Sequence, residues 1–343
     1  MILAPISRVW GSLLETRARF YAQGRLPSHR LPHPTVSVGN ITFGGTGKTP
    51  FVEWLARRFR FEGRRPAILS RGYGRRSRGV VVVSEGQGPL VDAARGGDEP
   101  VELARKLPGV LVVVAEKRAE AAAEAARLGA DLFLLDDGYQ HLAARRDVNL
   151  LLLDARDPFG GGALPPRGRL REPLSALARA DAFVFTRVDR AEPSVAARRD
   201  LAAARPEAPV FTARLRAAGL RDENGAPVSP GDFGAHRALA VCGVADPSGF
   251  AASLAELDIA SEETLVFRDH QSYGPRELAR IAAAAERSGA SWIVTTEKDA
   301  VKLWGRVAAP VVAIRLSVEV VEPGFFAFLA SRIAPADAGR EAG

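Results

Sequence analysis

The stretch VSVGNITFGGTGKTPFVEWLA, from Val36 to Ala56, constrains this chain more than any other. An apolar run, a glycine-rich loop and the start of a helix follow one another without a gap. Gly47, Lys48 and Thr49 end the pattern G-x-x-x-x-G-K-[ST]. In that pattern backbone N–H groups curl around phosphates, the lysine reaches the β and γ oxygens, and the hydroxyl ligates Mg2+. The first glycine of the pattern falls at position 42, which is Thr42. Gly44, Gly45 and Gly47 still supply a permissive backbone. The loop leaves a strand and opens a helix, the setting in which a helix N-terminus holds anions. We therefore assign Thr42, Phe43, Gly44, Gly45, Thr46, Gly47, Lys48 and Thr49 to a nucleoside triphosphate site.

A loop of this kind belongs to a parallel α/β sheet, and the rest of the chain reads that way. Apolar runs recur at 67–70, 80–84, 110–115, 131–137, 148–154, 181–187 and 209–215, several of them separated by helical segments such as EKRAEAAAEAARLG (116–129). Strands rich in Val, Leu and Ile alternating with helices imply a mostly parallel sheet with helices on both faces. The expected fold is thus α/β and P-loop NTPase-like over residues 31–215. Residues 216–237 are polar and rich in Gly and Pro, and read as a linker region. A second alternating series over 238–335 reads as a smaller α/β domain, expected to close over the active-site cleft. A length of 343 residues favours this division into two domains.

A net charge of +7 raises the question of nucleic acid. Of 47 basic residues only five are lysine, and the one dense basic block is RGYGRRSRG (71–79). That pattern fits an arginine-biased composition better than a nucleic-acid interface, and no nucleic acid partner is inferred. A lone Cys242 excludes an internal disulfide. Residues 1–30 form an amphipathic helical segment in which Ile6, Val9, Trp10, Leu13, Leu14, Phe20 and Tyr21 recur at helical spacing. No run of 18 apolar residues occurs, so nothing here spans a bilayer. The segment suits either a membrane interface or packing on the parent domain.

A P-loop needs an acid at the end of a neighbouring strand to organise Mg2+. LFLLDDGYQH (132–141) offers Asp136 and Asp137, which also suit a turn closed by Asp-Gly. GGDEP (96–100) brings Asp98 and Glu99 before a helix, where capping by Asp98 is the simpler reading. FRDHQSY (267–273) places Asp269 and His270 at a strand end. RGRLREP (167–173) gathers three arginines in a loop suited to anionic groups.

Taken together, SVGNITFGGTGKTP, GDEP, DDGYQH, LREP, DHQSY and TTEKDAVKL (295–303) occur in an order and spacing that resembles the tetraacyldisaccharide 4'-kinase family over nearly the whole chain. In that family the threonine at the loop entry is usual. The resemblance implies transfer of the γ-phosphate of ATP to the 4'-hydroxyl of a tetraacyldisaccharide 1-phosphate, giving lipid IVA in lipid A biosynthesis. It implies a peripheral protein on the cytoplasmic face of the bacterial inner membrane, with the N-terminal helix as its membrane contact and no obligate protein partner. It also implies roles. Asp98 resembles the catalytic base and His270 the histidine paired with it. Glu99, Asp136 and Asp137, with Thr49, resemble the residues around Mg2+. Lys48, Arg118 and Arg171 resemble site cations that stabilise the moving phosphoryl group. Gln271 stands where the family often has a second histidine.

The alternative is a P-loop GTPase or ATPase switch protein. TRVD (186–189) resembles the guanine-reading signature [N/T]-K-x-D, but Arg187 replaces its lysine, and LDDG lacks the D-x-x-G spacing of a switch.

Overall fold

The computed structural model describes residues 3–233, 237–244, 246–269 and 271–333. The chain forms two compact units. One comprises the residues up to Leu215 together with those from Val318 on; the other runs from Arg216 to Ser317.

The first unit opens with α1 (Leu3–Ala22), β1 (Thr35–Gly39), α2 (Lys48–Phe61), β2 (Pro66–Ser70) and β3 (Val81–Ser84). It continues through α3 (Ala93–Gly96), α4 (Asp98–Lys106), β4 (Leu111–Val114), α5 (Arg118–Arg127), β5 (Leu132–Asp136), β6 (Val148–Asp154), β7 (Ala182–Thr186), α6 (Val195–Ala204) and the first half of β8 (Val210–Arg221). The strand order is β8-β7-β6-β1-β5-β2-β4-β3. Only the β3–β4 pairing is antiparallel. β1 lies between β5 and β6, with Val36 opposite Leu134 on one side and Val148 on the other. Strands β1, β5 and β7 are buried throughout their lengths. Continuous burial of this kind requires cover on both faces, which is why β5 and β7 read as apolar runs and β1 carries only the small polar side chains of Thr35 and Ser37.

The second unit takes the rest of β8, then β9 (Pro227–Val228), β10 (Arg237–Cys242), α7 (Pro247–Glu256), β11 (Ser261–Val266), α8 (Pro275–Ser288), β12 (Ala290–Thr296), α9 (Glu297–Leu303) and most of β13 (Val311–Val320). Its parallel strands run in the order β11-β10-β12-β13.

Two boundaries differ from the sequence expectation. Residues 216–237 are no free linker: β8 pairs with β9 through Leu220 and Val228, and buried Leu220 joins the core formed by Ala238, Trp292 and Val312. One or two apolar residues in a Gly/Pro-rich stretch suffice to anchor a short hairpin. The second domain also ends before 335. After Val320 the chain forms α10 (Gly324–Ile333), whose Phe325 lies in the core of the first unit. Its ring centroid is 4.9 Å from that of Phe211, 5.8 Å from Trp54 and 5.9 Å from Phe51.

The N-terminal apolar stripe is divided. α1 packs on the first unit through small residues: Ser7 Oγ donates to the carbonyls of Leu164 and Pro165 at 3.1 and 3.0 Å, and Gly11 lies against Leu164. Leu14 turns inward to the core around Leu164 and Leu177, and Ser175 Oγ donates to Glu15 at 2.8 Å. Val9, Trp10, Leu13 and Phe20 remain exposed on the outer side. Among the described residues no helix is long and apolar enough to cross a membrane.

Truncating a buried phenylalanine removes its transfer energy and leaves a cavity. Phe325→Ala should destabilise the first unit by about 3–5 kcal/mol, read as a lower denaturation midpoint. An unchanged midpoint would mean that α10 does not complete this core.

Candidate active site

The site is built on the ends of β1, β5, β6 and β7. Gly39 closes β1, and a side chain there could not fit: a Cβ would stand 2.8 Å from the backbone nitrogen of Tyr139. Thr42, where a glycine was expected, is buried and forms an antiparallel bridge with Leu170. Phe43 N–H donates to Arg169 O, and Arg171 N–H to Ile41 O, both at 2.7 Å. The loop entry is therefore a short two-stranded ladder with the 169–171 segment. An extended residue suits it, and the glycine that would make a tight turn is not needed. The left-handed positions come later, at Gly44 (φ 119°) and Gly47 (φ 78°).

Two side chains missed by sequence reasoning hold the far side of this loop. Thr186 Oγ1 donates to Thr46 O at 2.9 Å. Arg187 Nη1 donates to Gly45 O and to Asp154 Oδ2, each at 2.6 Å. Asp189 accepts from Leu215 N at 3.0 Å. The TRVD stretch thus braces the loop and the middle of β8, and its likeness to a guanine reader is superficial. Its signal was legible only as a polar cluster directly following an apolar strand.

At the end of β5 the paired acids diverge. Asp137, in the left-handed region (φ 50°), receives both Nη atoms of Arg171 at 2.7 and 2.9 Å and lies 3.6 Å from Lys48 Nζ. Asn40 Oδ1 accepts from Lys48 at 3.0 Å and from Arg171 at 3.1 Å. Gln140 Oε1 accepts from Arg171 at 3.3 Å, while its amide nitrogen donates to Asn40 O at 2.8 Å. Asn40 and Gln140 also escaped the sequence reading, since lone amides carry no spacing signal. Burial pushes the Asp137 carboxyl up, but Lys48 and Arg171 outweigh it and hold it below the usual carboxylate range. The charge of Arg171 is thus directed at Asp137.

Asp136 points the other way. It is fully buried, with Ser70 Oγ at 3.3 Å. Burial, then the nearby charges of Glu99 and Asp137, push its pKa up to about 7 against the opposing pull of Lys48 and Arg118. Arg118 opens α5 and is itself buried; Nη1 donates to Ala115 O at 2.9 Å, and Nε has no hydrogen-bond partner. Desolvation lowers its pKa to about 10, countered by Asp136 and Asp137, so it remains a cation at neutral pH. Asp98 and Glu99 form the first turn of α4. The helix is capped by Gly97, not by Asp98, so capping does not account for Asp98. Gly97 has φ 94°, and a Cβ there would stand 3.1 Å from the Cα of Gly72. His141, also unassigned from sequence, is pushed down to about 4 by burial and by Arg118, Arg146, Arg17 and Arg71, and is neutral at pH 7. His270 lies outside the described residues.

These residues fit ATP and Mg2+. The loop presents glycine backbone and a lysine held at its mouth. The fully buried Asp136 is crowded by two acids that outweigh Lys48 and Arg118, so a bound cation would favour its ionised form. Among the described residues no group of three or more His, Cys, Asp or Glu side chains is placed to hold a metal.

A doubly covered parallel sheet with a P-loop after a central strand, an acid at the end of the adjacent strand and converging cations defines a P-loop phosphotransferase. A family model described as tetraacyldisaccharide-1-P 4'-kinase matches residues 1–334. A tetraacyldisaccharide 4'-kinase of Pelobacter propionicus is 41% identical over 328 residues, covering 94% of this chain and 89% of its own length. That of Geobacter metallireducens is 42% identical over 307 residues, covering 88% of each. A crystal structure of LpxK from Aquifex aeolicus, described as an "apo" form in complex with ATP, superposes with a TM-score of 0.78 at 33% identity, covering 96% of this chain and 97% of that one. The chain belongs to the tetraacyldisaccharide 4'-kinase family.

The raised Asp136 pKa has a consequence for stability. Between the ordinary 3.8 and about 7, the folded protein holds a proton that the unfolded chain has released. Stability of the metal- and nucleotide-free protein should therefore fall as pH rises through this window. Asp136→Asn should flatten that part of the profile, measured as unfolding midpoints against pH. Parallel profiles for the two proteins would contradict the assignment.

Proposed function

We infer that this protein is an ATP-dependent kinase that transfers the γ-phosphate of ATP to the 4'-hydroxyl of tetraacyldisaccharide 1-phosphate, giving lipid IVA in lipid A biosynthesis. The observation that carries the reading is the placement of Lys48 between Asn40 and Asp137 beside a braced P-loop. Phosphoryl transfer depends mainly on positioning and charge stabilisation, and these residues supply both. Backbone N–H groups of the loop hold the phosphates, and Lys48 meets the β and γ oxygens. The partly unpaired Arg118 stabilises charge on the transferring group. Thr49 and Asp136 would hold Mg2+, with Glu99 and Asp137 beside them; bound there, the ion neutralises phosphate charge. Asp98 accepts the proton of the attacking hydroxyl, and His270 is assigned to the same proton transfer. Arg171 keeps Asp137 and Asn40 in place.

The exposed outer stripe of α1 supports a peripheral place on the cytoplasmic face of the bacterial inner membrane. Val9, Trp10, Leu13 and Phe20 form an apolar surface, while the opposite side of the same helix is held by Ser7, Gly11 and Leu14. Such a helix can rest in the interface without leaving the protein.

Incubation with labelled ATP, Mg2+ and the tetraacyl disaccharide 1-phosphate in detergent should yield a doubly phosphorylated lipid. Lys48→Ala should lower turnover by at least about a hundredfold. Label appearing only as free phosphate would refute the kinase reading. For the membrane contact, Val9→Glu with Leu13→Glu should weaken binding to anionic vesicles by more than about tenfold, while turnover of a detergent-dispersed substrate stays near normal. Vesicle binding equal to that of the unaltered protein would exclude the stripe as the contact.

A further inference from the structure

In the first unit the connection from β5 to β6 departs from the habit of parallel sheets. Parallel strands are ordinarily joined by a crossover of about a dozen residues or more, usually a helix. Here residues 137–147 cross β1 with no helix between the two strands. They run from its carboxyl end, where Gly138 N–H donates to Val38 O at 3.1 Å, to its start, where Thr35 N–H donates to Asp147 Oδ2 at 2.7 Å. A stretch of this kind has no helical ladder to satisfy its carbonyls, and buried backbone groups must find partners. Its own amides make only tight turns, from His141 to Gly138 O at 3.0 Å, Leu142 to Gln140 O at 3.1 Å and Ala144 to His141 O at 3.4 Å. Arg146 folds back over it. Nη1 donates to the carbonyls of His141 at 3.0 Å and of Gly138 and Ala144 at 3.4 Å, and Nη2 donates to Tyr139 O at 3.3 Å. Desolvation lowers the pKa of Arg146 to about 10, which leaves it a cation at neutral pH. A planar fork with several fixed donors can gather carbonyls in this way; a single ammonium on a flexible stem cannot. The loop so gathered is the one that meets the P-loop. Asp137 takes both Nη atoms of Arg171 at 2.7 and 2.9 Å. Gln140 accepts from Arg171 at 3.3 Å and donates to Asn40 O at 2.8 Å and to Glu172 at 3.2 Å. Buried Tyr139, between them, donates its hydroxyl to Ala176 O at 2.6 Å. Arg146 bonds the backbone of the loop, while the side chains of Asp137 and Gln140 are given to the site.

We propose that Arg146 is a positioning residue: its guanidinium takes the place of the missing crossover helix and sets the 137–144 loop so that Asp137 and Gln140 hold Arg171 and Lys48 for phosphoryl transfer. The proposal rests on the reading that this cluster serves the transfer. A group displaced by about 1 Å can lose up to about a hundredfold in rate. The nucleotide itself is held by the backbone of the P-loop, so the loss falls on kcat.

The test uses the full chain carrying Arg146→Lys, which keeps the charge and loses the fork, and, separately, Arg146→Ala. Hydrogen exchange of the peptide covering 137–145 should quicken in both. Turnover should fall by about tenfold, with KM for ATP nearly unchanged, as when an interaction is lost in the transition state alone. Arg146 lines an open cavity of about 300 Å3 together with Ser28, Leu142, Arg145, Asn149 and Asp181, so a small cation can enter the gap left by Arg146→Ala. Guanidinium ion, far below the concentrations that unfold proteins, should raise the turnover of Arg146→Ala severalfold, and ammonium at the same concentration should not. A residue that merely stabilises the fold would show the opposite, since guanidinium is a denaturant. Should Arg146→Ala not fold, Arg146→Lys carries the test by its exchange and its kcat. Full turnover in Arg146→Lys would overturn the proposal, and so would a loss of turnover with unchanged exchange of the loop. Full activity in Arg171→Ala and in Asp137→Asn would instead remove the reading that this cluster serves the transfer, and the proposal with it, whatever the exchange shows.

Discussion

One carboxylate holds three segments of the first unit in register. Asp137 receives the fork of Arg171 from the loop after β6 and lies beside Lys48 from the first turn of α2. Asn40, at the exit of β1, accepts from both cations. These groups meet because β1 lies between β5 and β6. Without Asp137 two cations would face each other across a partly buried gap with only an amide between them, an arrangement that costs several kcal/mol. The geometry needed to place Asp137 there, a left-handed backbone followed at once by Gly138 against Ser37, also turns Asp136 to the other side. Adjacent acids thus acquire opposite environments. One is ionised by its neighbours; the other is fully buried beside Ser70, with two acids near it that raise its pKa.

Much of this was legible in the sequence, for reasons that differ from element to element. The parallel sheet and its P-loop were readable because buried strands are apolar throughout and glycines mark the loop. Asp136 and Asp137 were found through their place after β5. Thr42 looked like a defect, since a motif records residue types and not the antiparallel bridge to Leu170 that makes a threonine suitable. Arg187 resembled a failed guanine signature because its target, the carbonyl of Gly45, lies 142 residues away in sequence. The hairpin of β8 and β9 was hidden by its Gly/Pro-rich composition, and α10 was assigned to the wrong unit because an apolar face does not say which core it will fill. Local pattern specifies an element; only long-range packing assigns its partners.

The N-terminal helix illustrates the same limit from the other side. Its spacing gave a single apolar stripe, equally suited to a membrane or to the parent domain. The structure divides the work by side-chain size: Ser7 and Gly11 allow close approach to Leu164, while the larger Trp10, Leu13 and Phe20 are left outside. One helix can therefore be fastened to the protein and still present an apolar surface.

The return of the chain through β13 to α10 sets an order of events during synthesis. Phe51, Trp54 and Phe211 belong to segments made early, yet the aromatic group that packs among them, Phe325, is added some 114 residues after Phe211. Domains generally fold as units while the chain emerges, N-terminal ones first. Here the first unit is discontinuous, and the inserted one, Arg216 to Ser317, is complete before it. The nascent P-loop domain must wait with an open aromatic cleft until its last helix leaves the ribosome, so the segment translated in the middle is the first able to finish folding.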